Sequence, residues 1–174
     1  MKLKEIKRTG WVERGVEKPE SVSDHSFMTS FIALLIGERR GLNIEKLLKM
    51  AITHDIVESQ VGDMISTENW HQGTITKEEK HRVERKALDK LLDLVPERKK
   101  ELFDIWLEFE EGKSKEAKFL REVDSLEGML QAMEYCRKGN AEKQLKPFWD
   151  ERKVSKIKDP VLKELLLKAI KMQE

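Results

Sequence analysis

Apolar residues recur every three or four positions along most of this chain of 174 residues, which is the pattern of amphipathic helices. The alternation of apolar and polar residues that marks β-strands is absent, and the four prolines lie far apart, at positions 19, 96, 147 and 160. The sequence therefore predicts an all-α fold. Because no linker or change of composition divides the chain, we expect residues 1–174 to form one compact helical bundle.

Capping residues and helix breakers predict where these helices begin and end. Ser, Thr, Asn and Asp are favoured N-caps, because their side chains accept hydrogen bonds from the first free backbone N–H groups. The predicted caps are Ser21 or Ser23, Asn43, Thr76, Ser114 and Asp159. The predicted helices cover residues 2–7, 21–40, 43–53, 76–95, 97–111, 115–137 and 160–172. We expect the stretches 10–20 and 60–76 to be irregular, the second as a loop or lid.

Charge and cysteine content exclude several classes of partner. The chain carries 34 Lys and Arg against 33 Asp and Glu, and this net charge of +1 gives no single-sign field for a nucleic-acid polymer or an anionic membrane. The single cysteine, Cys136, allows no intramolecular disulfide. The longest apolar run, 31–36, is far shorter than the roughly 20 residues of a membrane span, and MKLKEIKRTGW lacks the apolar region of a signal peptide. We expect a cytoplasmic protein.

Two of the four histidines stand in positions that can serve a metal site. His25 follows the start of the second predicted helix, and His54 precedes Asp55 at the end of the third. Imidazole and carboxylate together bind borderline cations such as Mn, Fe, Co, Ni or Zn. Adjacent helical side chains point roughly 100° apart, so His54 and Asp55 reach one ion only across a seam or where the helix ends. A capping or packing role for His25 and a surface role for the pair remain open.

Further carboxylates lie close to this pair or interrupt an apolar segment. Asp55, Glu58 and Asp63 fall within a stretch of nine residues that follows an apolar helix. Asp124 interrupts the apolar residues of a different predicted helix, 115–137. Gathered carboxylates repel one another unless a cation or hydrogen bonds offset the repulsion. The spacing alone does not decide whether Asp124 faces the core, where a carboxylate needs a partner, or solvent.

Four blocks of sequence resemble one enzyme family. They are RTGW at 8–11, PESVSDHS at 19–26, HDIVESQVGD at 54–63 and AKFLREVDSLEGMLQAMEY at 117–135. The order of histidine, His-Asp and aspartate resembles that of the HD-domain metal-dependent phosphohydrolases, and the blocks look most like the 5′-deoxynucleotidase branch of that superfamily. The resemblance covers about residues 3–135 and implies a single helical HD domain. We expect helices within 141–174 to pack on this domain or to form an interface.

The resemblance implies one metal site. By position, His25, His54, Asp55 and Asp124 would hold a single divalent transition metal, which is Co, Mn, Fe, Ni or Zn. The ligand set of two imidazoles and two carboxylates suits such a cation.

The resemblance also implies the activity and the roles of four further residues. Glu58 would handle the proton of the attacking water, and Arg8 would clamp the substrate phosphate. Trp11 and Asp63 would line a sugar site that favours 2′-deoxyribose. The implied reaction is hydrolysis of deoxyribonucleoside 5′-monophosphates to deoxynucleoside and phosphate, and the implied assembly is a homodimer.

Several alternatives stay open. Two-metal members of the superfamily have two further histidines before the last aspartate, and this chain has His71 in the predicted loop and His81 on a helix face predicted to be exposed. The chain reads GDMISTENW where relatives often have a proline, so the substrate can be another small phosphoester, such as a ribonucleotide or a cyclic or signalling nucleotide. A non-catalytic, metal-stabilised nucleotide-binding protein is the third alternative. From the residues alone, Arg8 also fits a solvated charge and Trp11 a core anchor.

Overall fold

Helices account for most of the described part of the chain. The computed structural model describes residues 2–64 and 75–173. Ten α-helices lie in these residues: α1 (Thr9–Val12), α2 (Val22–Gly37), α3 (Ile44–Thr53), α4 (Glu58–Val61), α5 (Lys77–Leu92), α6 (Pro96–Glu111), α7 (Lys115–Arg137), α8 (Glu142–Leu145), α9 (Glu151–Val154) and α10 (Pro160–Lys171). Short 3-10 helices cover Lys2–Lys4, Glu38–Arg40 and Lys146–Phe148. No β-strand occurs in the described residues, and the predicted all-α fold is confirmed.

Five of the long helices in the described residues, α2, α3, α5, α7 and α10, follow a predicted cap. A side-chain oxygen at each cap accepts a hydrogen bond from a backbone N–H in the first turn, which satisfies one of the free donors there. These caps are Ser21, Asn43, Thr76, Ser114 and Asp159. Of the two predicted candidates for α2, Ser21 is the cap. The predictions of α3, α6, α7 and α10 are correct to within about a residue at each end.

The N-terminal segment differs from the prediction. The helix predicted over residues 2–7 is only the 3-10 turn Lys2–Lys4, and the stretch 10–20, predicted to be irregular, contains most of α1. The physical reason is pairing with distant backbone: Arg8 N donates to Glu20 O, and Val22 N donates to Ile6 O. Local periodicity carries no information about such bonds. Most of the predicted loop 60–76 lies outside the described residues.

The helix α7 forms the centre of the fold. It packs against α2, α3, α6 and α10, and its buried residues lie all around its axis rather than along one stripe. A smaller apolar cluster of Val57, Leu88, Leu92 and Trp106 joins the chain around α4 to α5 and α6. Leu162 and Leu166 of α10 are fully buried in the main core. None of the helices in 2–64 and 75–173 has the length and apolar character that crossing a membrane requires.

Two helical glycines differ in what surrounds them. A Cβ at Gly37, the last residue of α2, would lie 2.5 Å from Leu47 Cδ2 and 3.1 Å from Ile44 Cδ1. Both atoms belong to α3, so Gly37 permits the close approach of α2 to α3. A Cβ at Gly128, inside α7, would meet no atom within 4 Å.

We therefore expect opposite effects of alanine at these two positions. Gly128→Ala should raise the free energy of unfolding by about 1 kcal/mol, because alanine is the better helix former. Gly37→Ala should lower it by about 1 kcal/mol or more, because overpacking costs about 1–3 kcal/mol. Urea unfolding of the two variants measures both changes. Equal stabilisation in both variants would show that α2 and α3 are less closely packed than described.

Candidate metal centre

The end of α3 places His54 and Asp55 side by side. The helix ends at Thr53, His54 is its C-cap, and Asp55 lies in the turn that follows. Because the regular helix stops there, the two side chains can converge: His54 Nε2 lies 3.4 Å from Asp55 Oδ2. Trp106 Nε1 donates to the carbonyl oxygen of His54 and so holds this turn against α6.

The first turns of α2 bring His25 to the same point. Its side chain is fully buried, and Nε2 lies 3.8 Å from Asp55 Oδ2 and 3.0 Å from Asp124 Oδ1 on α7. Ligand atoms of His25, His54 and Asp55 all lie within 4.8 Å of one another. The structure thus brings together the four predicted ligands, with Asp124 reaching the group through its contact with His25.

Hydrogen bonds to the other ring nitrogens orient both imidazoles. His54 Nδ1 lies 2.7 Å from the carbonyl oxygen of Ala51, which can only accept, so Nδ1 carries the proton and Nε2 presents a lone pair. His25 Nδ1 lies 2.5 Å from Glu127 Oε2. When Glu127 is ionised it can only accept, so the proton of the His25 ring is likewise on Nδ1. Metal-binding histidines characteristically have such a partner on the second nitrogen.

Three buried polar atoms at this point have no hydrogen-bond partner among the described residues. They are His25 Nε2, His54 Nε2 and Glu58 Oε2. A buried polar atom left without a partner costs about 1–3 kcal/mol. The lone pairs on the two Nε2 atoms repel the carboxylate oxygens of Asp55 and Asp124 that they face. A cation bound between these atoms removes the repulsion. The residues therefore fit a divalent metal of the borderline group.

The carboxylates shift the pKa values of the buried groups. Burial opposes the charged form of His25, but Asp124 and Glu127 outweigh burial and raise its pKa to about 10. Burial alone would raise the pKa of Asp124, but the contact with His25 outweighs burial and keeps this pKa below its usual range. These shifts show that the cluster favours a positive charge at its centre, whether a proton or a metal supplies it.

Glu58 begins α4 and is almost completely buried. Burial raises its pKa well above the usual range for a carboxyl group, and the negative charges of Asp55 and Asp63 raise it further. A carboxyl group in such surroundings holds its proton, and a divalent metal beside it would lower its pKa, so that Glu58 can both accept a proton from water and return it.

Arg8 and Asp63 connect the N-terminal segment to this site. Arg8 Nη1 donates to Asp55 Oδ2 at 3.2 Å. One residue later, Thr9 N donates to Asp63 Oδ2 and Thr9 Oγ1 donates to the Asp63 carbonyl oxygen, each at 2.6 Å. Asp63 therefore uses one carboxylate oxygen to hold the segment that carries Arg8.

Trp11 lies in the core rather than on an open wall. Its side chain is 3% exposed and packs against Phe148, with ring centroids 4.2 Å apart, and against Tyr135. Its Nε1 donates to Glu20 Oε1 at 2.9 Å. The indole can therefore influence a bound sugar only through the residues that it supports.

The described geometry agrees with the sequence comparison. The sequence profile of the HD domain matches residues 1–164. The chain belongs to the HD-domain family. The predicted resemblance to this family, and the helical fold that it implied, are confirmed.

Relatives of this HD-domain protein have names that agree with the predicted branch. A Xenopus laevis protein named 5′-deoxynucleotidase HDDC2 is 40% identical over 165 residues, which are 94% of this chain and 79% of that protein. A Schizosaccharomyces pombe protein named 5′-deoxynucleotidase hdd1 is 38% identical over 181 residues, which are 99% and 86% of the two chains. A solved structure of a conserved hypothetical protein from Pyrococcus furiosus is 32% identical, with a TM-score of 0.77 over 98% of this chain and 94% of its own.

The sequence analysis of this HD domain missed Glu127 and Ala51. Glu127 lies three residues after Asp124 on α7, so both face His25, and this spacing is the signal that could have identified it. Ala51 contributes only a backbone carbonyl, which no sequence pattern reports.

One of the two histidines of the two-metal alternative, His81, is placed differently from the expectation. His71 lies outside the described residues. The helix face of His81 was predicted to be exposed, but the ring is partly buried and stacks on Trp106, with centroids 5.6 Å apart. Within the described ranges, no group of three ligand atoms that includes His81 lies within 4.8 Å.

We expect His54→Ala and Asp124→Ala to lose the metal, and His81→Ala, the matched control, to keep it. Elemental analysis of the purified variants measures this directly. Chelation of wild type should lower its Tm, because a ligand that binds only the native state adds about 2.7 kcal/mol at 100 times its Kd. Wild-type metal content in both ligand variants would exclude this site.

Proposed function

We propose that this protein is a metal-dependent phosphomonoesterase that hydrolyses deoxyribonucleoside 5′-monophosphates to deoxynucleoside and phosphate. The observation that carries the proposal is the convergence of two imidazole lone pairs and two carboxylates beside a buried glutamate, Glu58, and an arginine, Arg8. A purely structural metal needs neither a proton-handling carboxyl group nor a phosphate clamp. The names of the relatives support the deoxynucleotide as substrate.

The residues of the chain divide the work of this reaction. His25, His54, Asp55 and Asp124 would hold one divalent metal, which supplies a Lewis acid that polarises a phosphoryl oxygen and acidifies water. Glu58 takes a proton from the attacking water while the oxygen of that water forms its bond to phosphorus.

The guanidinium of Arg8 offsets the charge of the phosphoryl oxygens. The bond from phosphorus to O5′ breaks, and O5′ receives the proton from Glu58. No covalent bond to the enzyme forms.

Phosphate release from paired deoxyribonucleoside and ribonucleoside monophosphates tests this function. Co, Mn, Fe, Ni, Zn and Mg should be supplied separately, because the ligand set does not select one of them. Faster release from a ribonucleotide or from another phosphoester would replace the substrate, and absence of release with every metal would leave a nucleotide-binding protein without turnover.

We propose that Asp63 and Trp11 determine the sugar site. Asp63 lies five residues after Glu58 in the chain. One of its carboxylate oxygens accepts from Thr9 N, and the other can accept a hydrogen bond from the 3′-hydroxyl. Trp11 acts indirectly, because its buried ring supports Phe148 and the segment that carries Arg8. The homodimer implied by the resemblance and the cytoplasmic location predicted from the composition also remain predictions.

Glu58→Gln should lower kcat by about 10²–10⁴-fold with little change in KM, because a placed proton-transfer group contributes about that factor. The variant should keep its metal. Glu84→Gln is the matched control, since Glu84 is also buried and its pKa is raised to about 7. Turnover near wild type in Glu58→Gln would remove this residue from the mechanism.

Trp11→Phe should narrow the ratio of kcat/KM between deoxyribo- and ribonucleotides, because a looser sugar site admits the 2′-hydroxyl. Arg8→Ala should depress both substrates alike, because the phosphate is common to them. Steady-state kinetics with dAMP and AMP measures both effects. An unaltered ratio in a folded Trp11→Phe protein would leave Trp11 a packing residue only.

A further inference from the structure

A cavity of about 230 Å³ opens beside the metal centre, between α7 and residues 148–156. Arg8 and Asp124 line it, so a ligand at the metal centre extends directly into this space. The opposite wall consists of residues that lie outside the four blocks of the family resemblance. This wall includes Phe148, Lys153 and Lys156.

Gly128 lines the cavity at the surface of α7, and no neighbouring residue is close enough to require a glycine there. It lies inside the long helix α7, where glycine weakens a helix relative to alanine. Gly37 is required by the close approach of α3, whereas a Cβ at Gly128 would meet nothing within 4 Å. The missing side chain leaves its space to the cavity.

The two lysines bring positive charge that no described carboxylate pairs. In the described residues, Lys153 and Lys156 form no ion pair within 4 Å. Burial and the positive charges of Arg14, Arg152 and Lys156 lower the pKa of Lys153, and the negative charge of Asp150 opposes this lowering only in part. Lys153 Nζ lies 4.4 Å from the centroid of the Phe148 ring. Unpaired like charges beside one cavity repel one another, and a bound anion offsets this repulsion.

Phe148 fixes this wall to the N-terminal segment. Its ring packs against Trp11 with centroids 4.2 Å apart and ring planes tilted by 35°, and Trp11 follows Arg8 by three residues. The wall and the phosphate clamp are thus held by one packed pair of aromatic rings, which gives the cavity a defined shape.

We propose that residues 148–156 are the second wall of the substrate pocket, where the nucleoside lies over Gly128 against Phe148 and where Lys153 and Lys156 join Arg8 in binding the phosphate. This inference rests on the proposed function, because it names the part of the chain that recognises the nucleotide. An aromatic wall and an open floor accept the flat base, and the lysines hold a dianion beside the metal.

Binding of two probes to the metal-loaded, full-length protein tests the pocket without relying on turnover. The probes are a non-hydrolysable 5′-phosphonate analogue of dAMP and inorganic phosphate, and calorimetry measures the Kd of each. Gly128→Leu should raise the Kd of the phosphonate at least tenfold and leave that of phosphate unchanged, because it fills only the nucleoside space.

The double variant Lys153→Ala, Lys156→Ala should raise the Kd of both probes about tenfold and weaken the dependence of binding on NaCl. Two matched controls should bind like wild type: Lys118→Leu, which adds leucine at an exposed position of α7, and Lys158→Ala with Lys163→Ala, which removes two exposed lysines elsewhere.

If Gly128→Leu and the double lysine variant both bind the probes with wild-type Kd values, the proposal that these residues form the substrate pocket is wrong. Hydrolysis of dAMP, assayed on the same proteins, separates this result from failure of the proposed function. A protein that hydrolyses dAMP while both variants bind normally retains the function and loses the pocket. A protein that binds the phosphonate through these residues without hydrolysing dAMP retains the pocket and loses the function.

Discussion

The fully buried imidazole of His25 lies between two carboxylates of α7. The packing of α2 against α7 depends on keeping these contacts. Glu127 contacts Nδ1, while Nε2 faces Asp124 and Asp55. Removing one partner of a buried charge typically costs about 3–5 kcal/mol, so α7 must keep both carboxylates on one face. The helix α2 must also keep its register with Ser21 as the N-cap, because a register shift of one residue would turn His25 about 100° away from α7. A metal site and a helix cap are therefore parts of one constraint.

Local rules explain which parts of the fold the sequence predicts. A capping side chain acts within its own first turn, so Asn43 and Ser114 were identifiable from their neighbours alone. The N-terminal segment was predicted wrongly because its conformation depends on distant groups. Asp63 accepts from Thr9 N across 54 residues of sequence, and no periodicity within the segment contains that bond.

The candidate site shows the same division between residue type and geometry. The four ligands could be proposed because their types and order resemble those of the HD-domain family, whereas the residue types alone left other roles open. The orientation of the rings could not, since it depends on Glu127 and on a backbone carbonyl of Ala51. The family resemblance also implied that Trp11 lines a sugar site, but its side chain is 3% exposed and packs in the core behind the site. Burial of an aromatic residue is a property of the packed fold, which one sequence position does not report.

The net charge of +1 conceals a strong local asymmetry around the site. The His-Asp turn and its neighbours contribute carboxylates, which alone would repel a phosphate monoester. The cavity beside Asp124 has on its walls Arg8 and two lysines that form no ion pair within the described part of the chain. The whole-chain charge gives no reason to expect a polymer or a membrane as partner, because those require a field over a large surface. A small dianion responds instead to the few charges within a Debye length of about 8–10 Å. The fold creates that local field by bringing residues from both ends of the chain to one helix, α7, and sequence order alone does not show that they meet.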